Sequence, residues 1–351
     1  MKASEREKIE KEYAIIKKKE FEISHGYDFK KRLLIYKSIF EAIRTEVGKV
    51  VVGQDQMVDN LIEALLCNGH VLVEGIPGLA KTLLIRTLSK ISGCQFSRIQ
   101  FTPDLLPTDI LGITTYEEGK GFYTVKGPIF ANFVLADEIN RAPPKVQSAL
   151  LESMQERQAT IGKESFPLPV PFFVMATQNP LESLGTYKLP EAQIDRFLYK
   201  LLMLYPDIDE EVLILHKNIT LHKFEDFDLK PIVNPDIIIR IQDDVKRIYA
   251  DTKVENYIIR LVDATRNPKK YNISAGKFID YGASPRSSIA LFIAAKAHAF
   301  LKGKPFITPM DVKEIAHNVL RHRIILNYEG QAEEVNTDQI VDEILKKVPI
   351  L

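Results

Sequence analysis

His70-Val71-Leu72-Val73-Glu74-Gly75-Ile76-Pro77-Gly78-Leu79-Ala80-Lys81-Thr82-Leu83-Leu84-Ile85-Arg86 is the stretch whose reading decides the fold. Its first five residues are a short apolar run of strand length, and LLIRTLSKI, which follows, has helical periodicity. Between them lies a glycine-containing loop that ends in Lys-Thr. Strand, loop and helix in that order are the setting a phosphate-binding loop needs. The loop N–H groups and the positive end of the helix surround phosphate oxygens, a lysine reaches the β and γ oxygens, and a hydroxyl binds Mg²⁺. Gly75, Pro77, Gly78, Leu79, Ala80, Lys81, Thr82 and Leu83 are therefore candidate ATP contacts, with Thr82 also a candidate Mg²⁺ ligand. Ala80 stands where a glycine usually precedes the lysine. Its methyl is accepted if that residue has helical φ.

Outward from the loop, four further apolar runs alternate with helical stretches: FSRIQF (96–101), FVLADE (133–138), FFVMAT (172–177) and KLLMLY (200–205). Such runs suit buried parallel strands, so an α/β core over residues 41–205 is expected. FVLADE ends in Asp137-Glu138 about fifty residues after the loop, the arrangement of a second ATPase motif. Asp137 is the candidate for holding Mg²⁺ through water, and Glu138 for deprotonating the attacking water. Beyond Pro206 helical periodicity takes over, which predicts a smaller, all-helical domain over 206–351. Ser284-Pro285 and Thr308-Pro309 mark two helix starts there, each a capping residue before a proline at the first helical position. Residues 1–40 alternate charge blocks with apolar residues and read as a charged, solvated helical extension.

Two insertions interrupt the core. Near 103–128, TTYEE, a GKG turn and FYTVK read as a hairpin. The second lies near 159–171, where Pro167, Pro169 and Pro171 forbid a regular central strand, so that hairpin stands at an edge or protrudes. Tyr116, Phe122 and Tyr123 serve either as partner contacts or as cross-strand pairs within their own hairpin.

Composition narrows the classes. With 45% hydrophobic and 27% charged residues the chain can bury a real core, and 351 residues suit about two domains at roughly 150 residues each. Lys plus Arg equals Asp plus Glu at 47 each, so no global field favours a polyanion and nucleic acid is disfavoured as a partner. The charged start lacks the apolar run of a signal peptide, and no stretch approaches the ~20 apolar residues of a membrane span. A cytoplasmic protein without membrane insertion is expected. Cys67 and Cys94 lack metal or disulfide spacing, and His70, His298, His317 and His322 show no convergent metal pattern.

Taken together, GIPGLAKT, LADEINRAPPKVQSALLESMQERQATI (135–161), FFVMATQNP (172–180), LPEAQIDRF (189–197), GASPRSSIAL (282–291) and VLRHRIILNYE (319–329) resemble successive signature blocks of MoxR ATPases, within the helix 2 insert clade of AAA+ proteins. The resemblance covers roughly residues 45–345. It implies an AAA+ αβα core with a parallel sheet and a helical lid, a homo-oligomer of hexameric ring form, and Mg²⁺-dependent ATP hydrolysis coupled to chaperone-like remodelling of a client. Clients bearing a von Willebrand factor A domain are the partner class it suggests. The same mapping makes Asn179 the sensor 1 residue, Arg196 a finger that reaches a neighbour's γ-phosphate, Arg286 the sensor 2 arginine, and Gln54 part of the segment passing the adenine. Residue chemistry leaves alternatives open. Asn179 also suits a turn before Pro180, and Arg196 suits a surface ion pair with Asp195 or Glu191. Arg286 sits in a first helical turn, where the dipole disfavours a cation, which hints at a phosphate partner, while a plain surface role is the alternative. A magnesium chelatase-like motor subunit, a nucleic-acid-stimulated AAA+ motor and a nucleotide-gated scaffold that binds ATP and barely turns it over are the rival functions.

Overall fold

The structure is a computed structural model, and it describes residues 17, 18, 21, 22, 25–119, 121–180, 185–217 and 224–350. The chain divides into two compact units: Glu41–Ile239 forms one, and Met1–Phe40 with Arg240–Leu351 forms the other.

In the first unit the strands are β1 (Val71–Glu74), β2 (Phe96–Gln100), β3 (Gly112–Glu117), β4 (Gly121–Lys126), β5 (Phe133–Asp137), β6 (Gln158–Ile161), β7 (Glu164–Pro167), β8 (Phe173–Gln178) and β9 (Tyr199–Leu202). Five of them form a parallel sheet in the order β2-β5-β8-β1-β9. All five apolar runs are strands. The last is shorter than expected and stops at Leu202, opposite Glu74 where its partner β1 ends, and Leu204 and Tyr205 beyond it lie 73% and 71% exposed.

Both faces of the sheet are covered, which is why its strands read as nearly continuous apolar runs. Leu72, Val134, Ala136, Val174 and Ala176 point to one face and pack in a core with Val146, Leu150 and Met154 of the Pro144–Glu156 helix. Val71, Val73, Phe133, Leu135, Phe173 and Met175 alternate to the other face and are equally buried. The Lys81–Ile91 helix packs against β2 and β5. His70 belongs to this interior. Its Nδ1 accepts from the Val174 N–H at 3.1 Å, its Nε2 faces the Met154 carbonyl at 3.2 Å, and burial lowers its pKa to about 3. The ring is neutral and structural.

The two insertions are hairpins with sheets of their own, β3-β4 and β6-β7. In the first, Tyr116 lies opposite Phe122 with ring centroids 5.2 Å apart, yet the two are 62% and 79% exposed. The cross-strand pair forms without hiding its rings.

The second unit is built mainly from the helices Thr252–Arg266, Pro285–Leu301, Pro309–Leu320 and Thr337–Lys347. Pro285–Leu301 is the central one, with Ala290, Leu291, Ala294, Ala295, Ala297 and Phe300 all buried. Thr308 caps Pro309–Leu320 through a reciprocal box with Asp311, whereas Ser284 takes the N-cap position of Pro285–Leu301 without a side-chain capping bond to that helix. The unit is not wholly helical as expected: Ile279–Tyr281 pairs antiparallel with Ile325–Leu326, and the Asn327 N–H extends the pairing to the Phe278 carbonyl at 2.9 Å. Two segments that flank helices settle their backbone groups on each other there.

The described part of the N-terminal stretch is not a solvated extension. Phe29, Leu33 and Phe40, on the Tyr27–Val47 helix, are buried at 3%, 1% and 1% exposure. Tyr36 donates to Asp244 at 2.9 Å and lies tilted against the Phe300 ring, Phe21 meets the Tyr249 ring edge-on, and Lys17 pairs with Glu255. Among the described residues no helix is long and apolar enough to cross a membrane.

Candidate functional site

Parallel strands deliver their C-terminal ends to one edge of the sheet, and the candidate residues of the first unit gather there. The loop leaves β1 after Glu74 and enters the Lys81–Ile91 helix. The Gly75 N–H donates to the Gln178 carbonyl at 3.3 Å, tying the loop's start to the end of β8. Lys81 Nζ turns back onto the Gly75 carbonyl at 2.6 Å. Burial lowers the pKa of this ammonium, while the nearby carboxylates of Asp137 and Glu138 act the other way. Among the described residues the backbone N–H groups from Gly78 to Leu83 find no carbonyl partner, and the first helical bond of this kind is Leu84 to Ala80 at 2.9 Å. Nothing lies within 4 Å of the position a Cβ would take at Gly78.

Ala80 departs from the expectation of helical φ. Its angles are φ 57° and ψ 25°, the left-handed region, so the methyl sits where glycine is at ease. A non-glycine residue holds this conformation at some cost.

Asp137 ends β5 and Glu138 follows it, also left-handed at φ 56°. Both are held by partners that the sequence reading did not single out. The Thr177 hydroxyl, at the end of β8, donates to Asp137 Oδ1 at 2.7 Å and accepts from the Glu138 N–H at 2.8 Å. Arg98 of β2 donates to Asp137 Oδ2 from Nε at 3.1 Å and from Nη2 at 2.7 Å, and the same Nη2 reaches Gln100 Oε1 at 2.7 Å. Gln100 Nε2 donates to Glu138 Oε2 at 2.8 Å, and Arg141 Nη1 joins that oxygen at 3.0 Å. Two signals were available: Arg98 and Gln100 alternate onto one face of their strand, and Thr177 is a polar residue closing an apolar run.

Asn179 follows β8 at the same edge and is buried at 6% exposure. Gln54 lines an apolar cleft with Val50, Val51, Val52, Gly78, Leu79, Ala80, Pro206 and Ile214. Arg196 lies elsewhere. It precedes β9, and the register pairing Tyr199 with Val71 and Leu202 with Glu74 puts it at the opposite end of the sheet from the loop. It is exposed and makes no ion pair among the described residues, and Glu191 pairs with Lys188 at 3.6 Å. Arg286 belongs to the other unit, as the second residue of the Pro285–Leu301 helix, and is exposed.

The donor set fits a polyphosphate with a divalent cation: a run of uncommitted N–H groups, an ammonium, open space at Gly78, a hydroxyl at Thr82 and two carboxylates at the end of β5, two strands away. The apolar cleft beside Gly78–Ala80 offers a flat base a place next to the phosphates.

Comparison with known proteins gives the same direction. The profile of the ATPase family associated with various cellular activities matches residues 70–199, and that of the AAA lid domain matches residues 274–344. Chaperone MoxR1 of Mycobacterium tuberculosis is 45% identical over 308 residues, covering 87% of this chain and 80% of its own. Protein MoxR of Methylorubrum extorquens is 29% identical over 320 residues, covering 86% and 91%. A crystal structure of a candidate ATPase from Cytophaga hutchinsonii superposes with a TM-score of 0.86 at 47% identity, covering 92% of this chain and 97% of that one.

Proposed function

The chain belongs to the MoxR family of AAA+ ATPases, and from that premise we propose that it hydrolyses ATP to ADP and phosphate with Mg²⁺, in a ring of like subunits, to remodel a client protein. The observation that carries the reading is the placement of Lys81 after β1 and of Asp137 and Glu138 at the end of β5, along one edge of the parallel sheet and beside a loop whose N–H groups are uncommitted.

In this reading the loop N–H groups and Lys81 bind the phosphate chain, and Gln54 and the apolar cleft hold the base. Thr82 and Asp137 are the residues that would hold the metal, whose charge neutralises the phosphate oxygens. Glu138 takes the proton from a water that attacks the γ-phosphorus, the bond from that phosphorus to the bridging oxygen breaks, and ADP leaves with the electron pair. Asn179 orients the water through its amide. Arg196 acts on the nucleotide of the next subunit, and Arg286 couples the lid to the nucleotide. The 45% identical relative is a chaperone by name, which supports a protein client, and the exposed Tyr116 and Phe122 of the β3-β4 hairpin are a surface for it. A von Willebrand factor A domain is the client class we favour.

Glu138→Gln tests the core of this. The amide keeps the shape of the side chain and cannot accept the proton, so ATP binding is expected to persist by calorimetry while steady-state phosphate release falls about 10²-fold or more. Turnover within a few-fold of wild type would remove Glu138 from the role of base.

A further inference from the structure

We propose that Arg98 is a resident counter-cation of Asp137 which competes with the divalent metal for that carboxylate and so sets how much metal the site requires. This rests on the reading of Asp137 as a metal-holding residue.

The case begins with capacity. An ionised carboxylate offers about four acceptor positions, two on each oxygen. Arg98 places two N–H groups on Oδ2, at 3.1 and 2.7 Å, and Thr177 takes one position on Oδ1 at 2.7 Å. One position remains. Thr177 is fixed in the interior at 1% exposure and also receives the Glu138 N–H, so it is a permanent partner. Arg98 is the partner that can leave: its side chain is 49% exposed on the outermost strand of the sheet, while that of Asp137 is 13% exposed.

Nor is this an idle surface pair. The guanidinium meets one oxygen with two adjacent N–H groups, and Gln100 Oε1 takes a further bond at 2.7 Å, so the fork is held in orientation. Gln100 is in turn anchored by its other amide atom to Glu138. The ion pair is preorganised, and the carboxylate that would serve a metal is neutralised from within the chain. A divalent ion arriving near Asp137 meets a fixed positive charge and a filled oxygen. Metal and Arg98 are then linked competitors, and whatever stabilises the pair raises the metal concentration needed by the same factor.

Arg98 is a positioning residue in this scheme, and the readout that isolates it is the metal requirement rather than turnover. A fluorescent ATP analogue is bound to the full chain, and Mg²⁺ is titrated while the change in nucleotide affinity is followed. For Arg98→Ala, the Mg²⁺ concentration giving half of the effect is expected to fall about three- to ten-fold, the range for a half-exposed, charge-assisted pair. Arg98→Gln, which keeps a long polar side chain and loses the charge, is expected to shift it the same way, and it serves if the alanine variant does not fold. In the background of Asp137→Asn the substitution at Arg98 is expected to have no further effect on the midpoint. An unchanged or raised midpoint in both Arg98 variants overturns the proposal. A wild-type chain that binds no nucleotide at any Mg²⁺ concentration overturns the underlying reading, which keeps that failure distinct from an unshifted midpoint. A fall in midpoint that persists undiminished in the Asp137→Asn background shows that Arg98 acts elsewhere and also overturns it.

Discussion

Ala80 and Glu138 are the two non-glycine residues of the site that adopt left-handed backbone angles, at φ 57° and 56°. Each such residue costs on the order of 1 kcal/mol, a strain that folded structures tolerate where a side chain or an amide must be aimed. At Glu138 the cost is offset by the bond from its N–H to Thr177. At Ala80 the methyl brings no bond with it. Ala80→Gly is therefore expected to stabilise the folded chain by about 0.5–1 kcal/mol in denaturant unfolding, the relief at positive φ exceeding the extra freedom of glycine in the unfolded chain. Nucleotide affinity should be no weaker. A loss of stability would mean that the methyl packs in a way that outweighs its strain. This residue also marks a limit of sequence reading. Loop composition pointed to the candidate phosphate site, but the backbone angle of one residue depends on how the β1 end and the helix axis meet, which local propensity does not encode.

Among the elements, the polarity of the sheet does most of the sorting. The four-residue β1 spans about 10 Å or more between its ends, at roughly 3.3 Å per residue. Lys81 follows its C-terminal end, while Arg196 precedes the neighbouring β9 at the other. An arginine so placed faces away from the loop of its own chain. The expected consequence is complementation: Arg196→Ala and Lys81→Ala are each inactive alone, and mixing them restores part of the ATPase activity, since some interfaces pair an intact loop with an intact arginine. Mixtures that stay inactive, when subunit exchange is demonstrated separately, would rule out action in trans. The strands themselves were legible because burial on both faces leaves continuous apolar runs. The network around Asp137 was not. Gln100 and Asp137 are register partners on β2 and β5, and Thr177 joins them from β8. Strand order has no local signature in a single sequence, so cross-strand partners forty residues apart remain hidden until the sheet is assembled.

At the scale of the whole molecule, the unit formed by Arg240–Leu351 also includes residues from the far end of the chain. The sequence suggested a solvated extension because charge blocks dominate the opening residues, and the exposed apolar Leu34 and Ile35 beside Leu33 blur the face that Phe29, Leu33 and Phe40 share. Each buried apolar side chain of this size contributes about 1.5–3 kcal/mol, so deleting residues 1–40 is expected to cost on the order of 5 kcal/mol in that unit. Denaturant unfolding followed by limited proteolysis of 240–351 measures it. Identical unfolding with and without the segment would return it to the solvent. The same arrangement bears on how the molecule is made. A ribosome releases Phe21 and Phe40 some two hundred residues before their ring partners Tyr249 and Phe300 exist to receive them. Throughout that interval the first unit can fold, while the early helix keeps its apolar stripe uncovered. Translation therefore opens a window in which this segment is a target for cellular folding factors or for a second nascent chain, and the window closes only when the last helices emerge.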